Sequence, residues 1–339
     1  MRPLLAALCL TSTQLAAQEA PRVVADIAPI RSLVAQVMEG VGSPLLIIPT
    51  SASPHSYAMR PSEARALRNA DLVVWVGPGL THWLEEPLDT LSGNAARLTL
   101  MEHPKTKGLE LRAAGILGGH AMHEDEHGDE RGYEEHHDED AGNEEGHDHE
   151  EGHEHEEGHD HDAAHGHEHH GDVDPHGWLS PDNAVHWAGV VAQTLAQIDP
   201  DNAQTYMNNW TALSEEVGAA VKDINTLLAP LHDTPFIVLH DGTQYFEASF
   251  GMQAKAFVIP GDGRTPGPAS LKALRDELAK HPVACAFTSP QENTSLLRTV
   301  TEGQDTRLAE LDPMGNGEEH YAAMLRRFAD DLAACLTAK

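Results

Sequence analysis

The chain is poor in aromatic residues, in cysteine and in positive charge. Phe, Trp and Tyr make up 5 % of its 339 residues, there are three cysteines, and 22 Lys and Arg stand against 54 Asp and Glu. The formal charge of −32 argues against nucleic acid and against anionic membrane surfaces as partners, and is compatible with cations. No stretch approaches the ~18 consecutive apolar residues of a membrane helix. The mature protein is therefore expected to be soluble, with no stable membrane insertion.

The apolar run nearest the N-terminus is short. Arg2 is followed by Leu4 to Leu10 and then by small and polar residues ending in Leu15-Ala16-Ala17, the pattern of an export signal over residues 1–20, with cleavage near Ala17. Cys9 would fit a lipoprotein anchor, but Leu8 stands where Ala or Gly is wanted. Removing the signal leaves Cys285 and Cys335. An even pair in an exported protein favours a disulfide, with two buried thiols as the alternative. Neither cysteine has the C-x-x-C spacing of a zinc ligand, and both sit in apolar surroundings.

Charge is concentrated rather than spread. Residues 120–172 hold 22 of the 54 acidic side chains and 15 of the 24 histidines, with one Arg. Units such as Gly146-His-Asp-His, Gly152-His-Glu-His, Gly158-His-Asp-His and Gly166-His-Glu-His recur without a hydrophobic period. Such a segment cannot bury enough apolar surface to fold alone and is expected to be a disordered insertion. Its paired imidazoles, flanked by carboxylates, suit weak binding of several Zn²⁺ ions; a solvated polyanion with incidental affinity is the competing reading.

Elsewhere strands and helices alternate. Val23 to Ala28 reads as a strand, Ile30 to Met38 as an amphipathic helix, Leu45 to Ile48 as a strand, Pro61 to Ala70 as a helix and Leu72 to Val76 as a strand. The pattern returns with strand Phe236 to Leu239, helix Gly242 to Phe250 and strand Ala256 to Ile259. A helix striped by Leu271, Leu274 and Leu278 follows, then strands Val283 to Phe287 and Leu308 to Leu311, and a closing helix from Glu318 to Leu336. Between the blocks lie a helix from Ala184 to Ile198 and one from Asp201 to Leu228, about 28 residues or roughly 40 Å long. The expected fold is α/β: two lobes with parallel sheets flanked by helices, joined by one long rigid helix, with a cleft between them. The boundaries are 21–199 for the first lobe, which carries the insertion 120–172, then 200–231 for the linking helix and 232–339 for the second lobe.

Ligands of open α/β sheets bind at the carboxyl ends of strands. His55 follows Leu45 to Ile48 in the turn Thr50-Ser-Ala-Ser-Pro-His. His176 lies in the turn Asp174-Pro-His-Gly-Trp-Leu-Ser-Pro that ends the insertion. His240 ends strand Phe236 to Leu239, and Asp312 ends Leu308 to Leu311. Neutral imidazoles suit Zn²⁺, and three with a carboxylate or water make a tetrahedral set. Unperturbed imidazoles, with pKa about 6.5, would release the ion in mild acid. His82, His103, His186, His232, His281 and His320 lack comparable context and read as surface or structural residues.

These turns carry a resemblance. Ser53-Pro-His-Ser-Tyr-Ala-Met-Arg-Pro-Ser, Asp174-Pro-His-Gly-Trp-Leu-Ser-Pro, His240-Asp-Gly-Thr-Gln-Tyr-Phe and Leu311-Asp-Pro-Met-Gly look like the metal-site motifs of the zinc-specific solute-binding proteins (ZnuA type) of ABC importers. The likeness runs from about Val23 to the C-terminus, and the histidine-rich insertion and the cysteine pair fit it. It implies two Rossmann-like lobes joined by one long helix with metal held in the cleft, and a periplasmic, monomeric receptor that binds Zn²⁺ with His55, His176 and His240 and passes it to the importer's membrane permease. Manganese-specific relatives tend to place Glu where this chain has His240. Some zinc members carry Glu before the first His; here it is Pro54, which leaves the fourth position to Asp312 or water.

Parts of the same residue set fit other functions. A zinc hydrolase shares the three-histidine chemistry, but the chain has no H-E-x-x-H and no G-x-S-x-G. Glu247, the best-placed general base, reads as a helix surface residue. A metal buffer built around the insertion, or a receptor for manganese or nickel, are the remaining alternatives.

Overall fold

In the computed structural model, residues 19–112, 173–315 and 319–338 are described. The segment expected to be an export signal (but for its last two residues), the histidine-rich insertion and the start expected for the closing helix lie outside them. The apolar runs Val23–Ala25, Leu72–Trp75, Phe236–His240, Ala256–Ile259 and Cys285–Thr288 form parallel strands buried on both faces, as strands covered by helices on either side must be. The first sheet contains β1 (Val23–Ala25), β2 (Leu45–Leu46), β3 (Leu72–Trp75) and β4 (Ala96–Thr99), ordered β2-β1-β3-β4. The second contains β5 (Phe236–His240), β6 (Ala256–Ile259), β7 (Cys285–Thr288) and β8 (Arg307–Glu310), ordered β6-β5-β7-β8. Every strand pair is parallel. Both sheets belong to one folded unit.

The helices are α1 (Ala28–Val37), α2 (Pro61–Arg68), α3 (Pro78–Thr81), α4 (Glu85–Leu91), α5 (Pro181–Ile198), α6 (Ala203–Leu228), α7 (Gln244–Phe250), α8 (Pro268–Lys280), α9 (Ser295–Val300) and α10 (Tyr321–Thr337). The long helix α6 is 26 residues, with a single 3-10 turn at each end. It buries Tyr206, Leu213, Val217, Ala220, Ile224 and Leu228, a stripe at the three-to-four spacing of one helix face. It packs against α5, α1 and α10, so helices from both halves of the chain share one side of the strut. Among the described residues no helix is long and apolar enough to cross a membrane.

The apolar pattern does not mark β4 or the short helices α3, α4 and α9, and it places the start of α5 too late. Strand β4 carries Ala96, Arg97, Leu98 and Thr99 without a buried residue, so no alternation marks it. Helix α5 starts at Pro181, three residues before its first expected position, because the Ser180 side chain caps it by accepting from the Asn183 amide; proline at the first turn suits that start.

Cys285 on β7 and Cys335 on α10 form a disulfide. It closes a loop with a sequence separation of 50, for which the chain-entropy model gives about 4 kcal/mol. Cys335→Ser is therefore expected to lower the denaturant midpoint, and reductant to do the same to the wild type but not to the double variant C285S/C335S. An unchanged midpoint in either case would show that the bridge contributes nothing to stability.

Candidate metal centre

His55, His176 and His240 reach one pocket from two turns and the end of a strand. His55 lies in a 3-10 turn, Pro54–Ser56. The Trp83 indole donates to the Pro54 carbonyl at 2.8 Å, and Gln291 reaches back to the Thr50 carbonyl, also at 2.8 Å. His176 opens the turn before α5, and the second half of the chain holds that turn: Tyr245 donates to the Asp174 carbonyl, Tyr321 to the Trp178 carbonyl, and the Trp178 indole to the Pro313 carbonyl. His240 is the last residue of β5. Each offers one ring nitrogen, and the three nitrogens lie within 4.8 Å of one another. Nε2 of His176 and Nε2 of His240 are 3.1 Å apart.

Asp174 Oδ1 accepts from the His176 amide at 2.9 Å and lies 2.7 Å from its Nδ1. With the hydrogen on Nδ1, the Nε2 lone pair faces the pocket, the usual arrangement behind a metal-binding histidine. His55 Nε2 is buried with no hydrogen-bond partner among the described residues. Burial first, then repulsion from His176, lowers the His55 pKa to about 4. Burial, then His176 and His55, holds His240 well below its ordinary value. These two rings are thus neutral and unprotonated at neutral pH, as coordination requires.

Asp312 lies two residues past the end of β8, and the structure does not bring it into this group. Its Oδ1 accepts from the Met314 amide at 3.0 Å and lies 3.4 Å from Gln291 Nε2, and Arg327 stands 3.8 Å from Oδ2. Glu292, which the sequence did not single out, lines the pocket instead, with a pKa raised by burial.

Three further residues had no local signal. Gly242 lets the rings close up: a methyl group there would stand 3.0 Å from His176 Cδ2 and 3.1 Å from His240 Cδ2. Arg112, beside the insertion, donates to both Asp241 and Glu247, and all three side chains are largely buried. The residue next to His240 is thereby tied to the chain that enters the insertion. Glu247, expected on a helix surface, is buried instead: it accepts from Thr243, from Arg112 and from the Ala254 amide. Opposite charge and three donors draw it inside, and they leave it no free role as a base.

The family model described as the zinc-uptake complex component A, periplasmic (ZnuA), matches residues 23–335. The chain belongs to the ZnuA family. It is 39 % identical to the high-affinity zinc uptake system protein ZnuA of Paracoccus denitrificans, over 98 % of this chain and 97 % of that one. Among solved structures it resembles a deletion mutant of ZnuA with zinc bound, at TM-score 0.69 and 20 % identity over 94 % of this chain and 99 % of the other. The solute-binding protein FpvC of Pseudomonas aeruginosa in complex with Mn²⁺ matches at TM-score 0.68 and 20 % identity, with the same coverage. The two α/β lobes are therefore the fold of this family of metal-binding solute receptors, and the chain is a ZnuA-type zinc-uptake binding protein.

Because Gly242 sets the approach of two rings, Gly242→Ala is expected to weaken metal binding by about 10–100-fold, the range seen when residues that orient metal ligands are altered. Competition with a chromogenic chelator reads this, and circular dichroism checks that the fold is kept. Unchanged affinity in a folded variant would mean that the close packing does not matter to the metal.

Proposed function

We propose that the protein is a periplasmic receptor, not an enzyme, which captures Zn²⁺ with His55, His176 and His240 and delivers it to the membrane permease of an ABC importer. The observation that carries this reading is the cluster of three ring nitrogens in one buried pocket, two of the rings held neutral by their surroundings. Water takes the fourth position, since the Asp312 carboxylate is engaged by Met314, Gln291 and Arg327. Zinc is favoured over manganese because manganese prefers oxygen donors, and no carboxylate joins the group among the described residues. Residues 1–20 act as the export signal, and the lobes divide at the linking helix 200–231. Delivery follows from membership of a zinc-uptake family. The histidine-rich insertion is read as a weak multi-ion reservoir.

The pH response departs from that of unperturbed imidazoles. An imidazole whose pKa is lowered to about 4 stays neutral down to that pH, so protons compete with zinc at His55 only below it; burial and the two neighbouring rings hold His240 well below its ordinary value too. Between pH 7 and 5.5 neither His55 nor His240 takes up a proton, so the loss of affinity falls well short of three decades per pH unit. The steep loss comes on approach to pH 4. Titration of the tight site against a strong chelator, which the weak insertion sites cannot outcompete, measures this. A three-decade slope centred near pH 6.5 would contradict the buried, neutral site. In the same assay His240→Ala is expected to abolish tight binding and His281→Ala to leave it unchanged; equal losses would overturn the assignment. Delivery is tested with the importer in proteoliposomes, where zinc-loaded protein should stimulate ATP hydrolysis and the His240→Ala variant should not.

A further inference from the structure

His103 and His186 were set aside by sequence, yet the fold puts them face to face. His103 Nδ1 and His186 Nε2 are 3.1 Å apart, and each is within hydrogen-bond distance of the Pro104 carbonyl, at 3.0 and 2.9 Å. The ring centroids are 5.1 Å apart and both side chains are half-buried. Three donor atoms from two segments 83 residues apart thus form a nearly equilateral triangle.

The triangle is built rather than incidental. His103 sits in a turn closed by its own amide on the Leu100 carbonyl, by the Thr106 amide on the His103 carbonyl and by the Thr106 hydroxyl on the Leu100 carbonyl. Residues on either side of His186 grip that turn: the Trp187 indole donates to Thr106 Oγ1, and Asn183 exchanges hydrogen bonds with the Lys107 amide and carbonyl. Lys105, at φ 73°, is the one non-glycine residue of positive φ among the described residues. That unfavourable backbone fixes the peptide whose oxygen completes the triangle.

We infer that His103, His186 and the Pro104 carbonyl form a second site for one zinc ion, weaker than the three-histidine pocket and separate from the histidine-rich insertion. Hydrogen bonds serve this triangle poorly. With both facing nitrogens protonated, two N–H dipoles lie side by side at 3.1 Å; with one protonated, a single hydrogen is shared between a nitrogen and an oxygen. A cation capping the face engages all three lone pairs. A tetrahedral zinc with bonds of about 2.0–2.1 Å spaces its ligands roughly 3.3 Å apart, so the atoms need open by only a few tenths of an ångström. Two imidazoles and a neutral carbonyl leave the ion's charge uncompensated and one position to water, which makes the site weaker than the pocket.

The test uses the full chain and Zn²⁺ as the probe, with carbethoxylation of each histidine followed by mass spectrometry. His103 and His186 should both react in metal-free protein and lose reactivity with one common zinc midpoint, above that of the pocket histidines. At about ten times that midpoint, mass action lowers both rates about tenfold. In the His186→Ala variant His103 should lose this protection while His55 and His240 keep theirs, a sign that the fold and the pocket are intact. His103 reactivity that zinc leaves unchanged, or that zinc protects equally in His186→Ala, overturns the site. Since the pocket histidines report in the same spectra, failure here is distinguishable from failure of the zinc-receptor reading.

Discussion

Three imidazoles crowded out of water repel one another's protons, and the rest of the architecture serves that crowding. A protonated ring in the pocket would meet desolvation and two neighbouring rings at once, and the low pKa values of His55 and His240 express both effects. Left neutral, the rings turn ring nitrogens into the pocket, and His55 Nε2 is an outright orphan among the described residues. Buried polar atoms without partners are rare because each costs free energy. Here the cost is what a divalent cation would relieve.

Such a pocket cannot be made by one element. Parallel strands deliver residues to their carboxyl ends, and two sheets facing one cleft allow three chain segments to converge without an edge or a bundle. The Arg112 cluster shows what convergence costs. Asp241 and Glu247 are buried beside the pocket, and burial raises the Asp241 pKa while the guanidinium pulls it down. Removing Arg112 would leave two buried carboxylates unpaired, which is far worse than never burying them. The same residue ties the last described residues before the insertion to the neighbour of His240.

Much of this was legible in the sequence, and for a definite reason. His55, His176 and His240 each follow a strand or stand in a Pro-containing turn, so local pattern marks them. The strands Val23–Ala25, Leu72–Trp75 and Phe236–His240 are continuous apolar runs, and the disulfide needed only an even cysteine count in an exported chain. What was not legible depends on distance. Arg112 meets its partners 129 and 135 residues away, and Glu247 changes from a surface residue to a buried one only because Arg112 arrives. Asp312 has the right position in sequence, but the Met314 amide, Gln291 and Arg327 hold its oxygens. His103 and His186 looked ordinary for the same reason: each is unremarkable until the turn after β4 is laid against α5.

The most direct measurement is an anomalous difference map at the zinc absorption edge from crystals of the full chain loaded with one equivalent of zinc. The account predicts a single strong peak within bonding distance of nitrogens from His55, His176 and His240, with no protein oxygen completing the set. A peak bonded to Asp312, or density spread over other histidines with the pocket left bare, would contradict it.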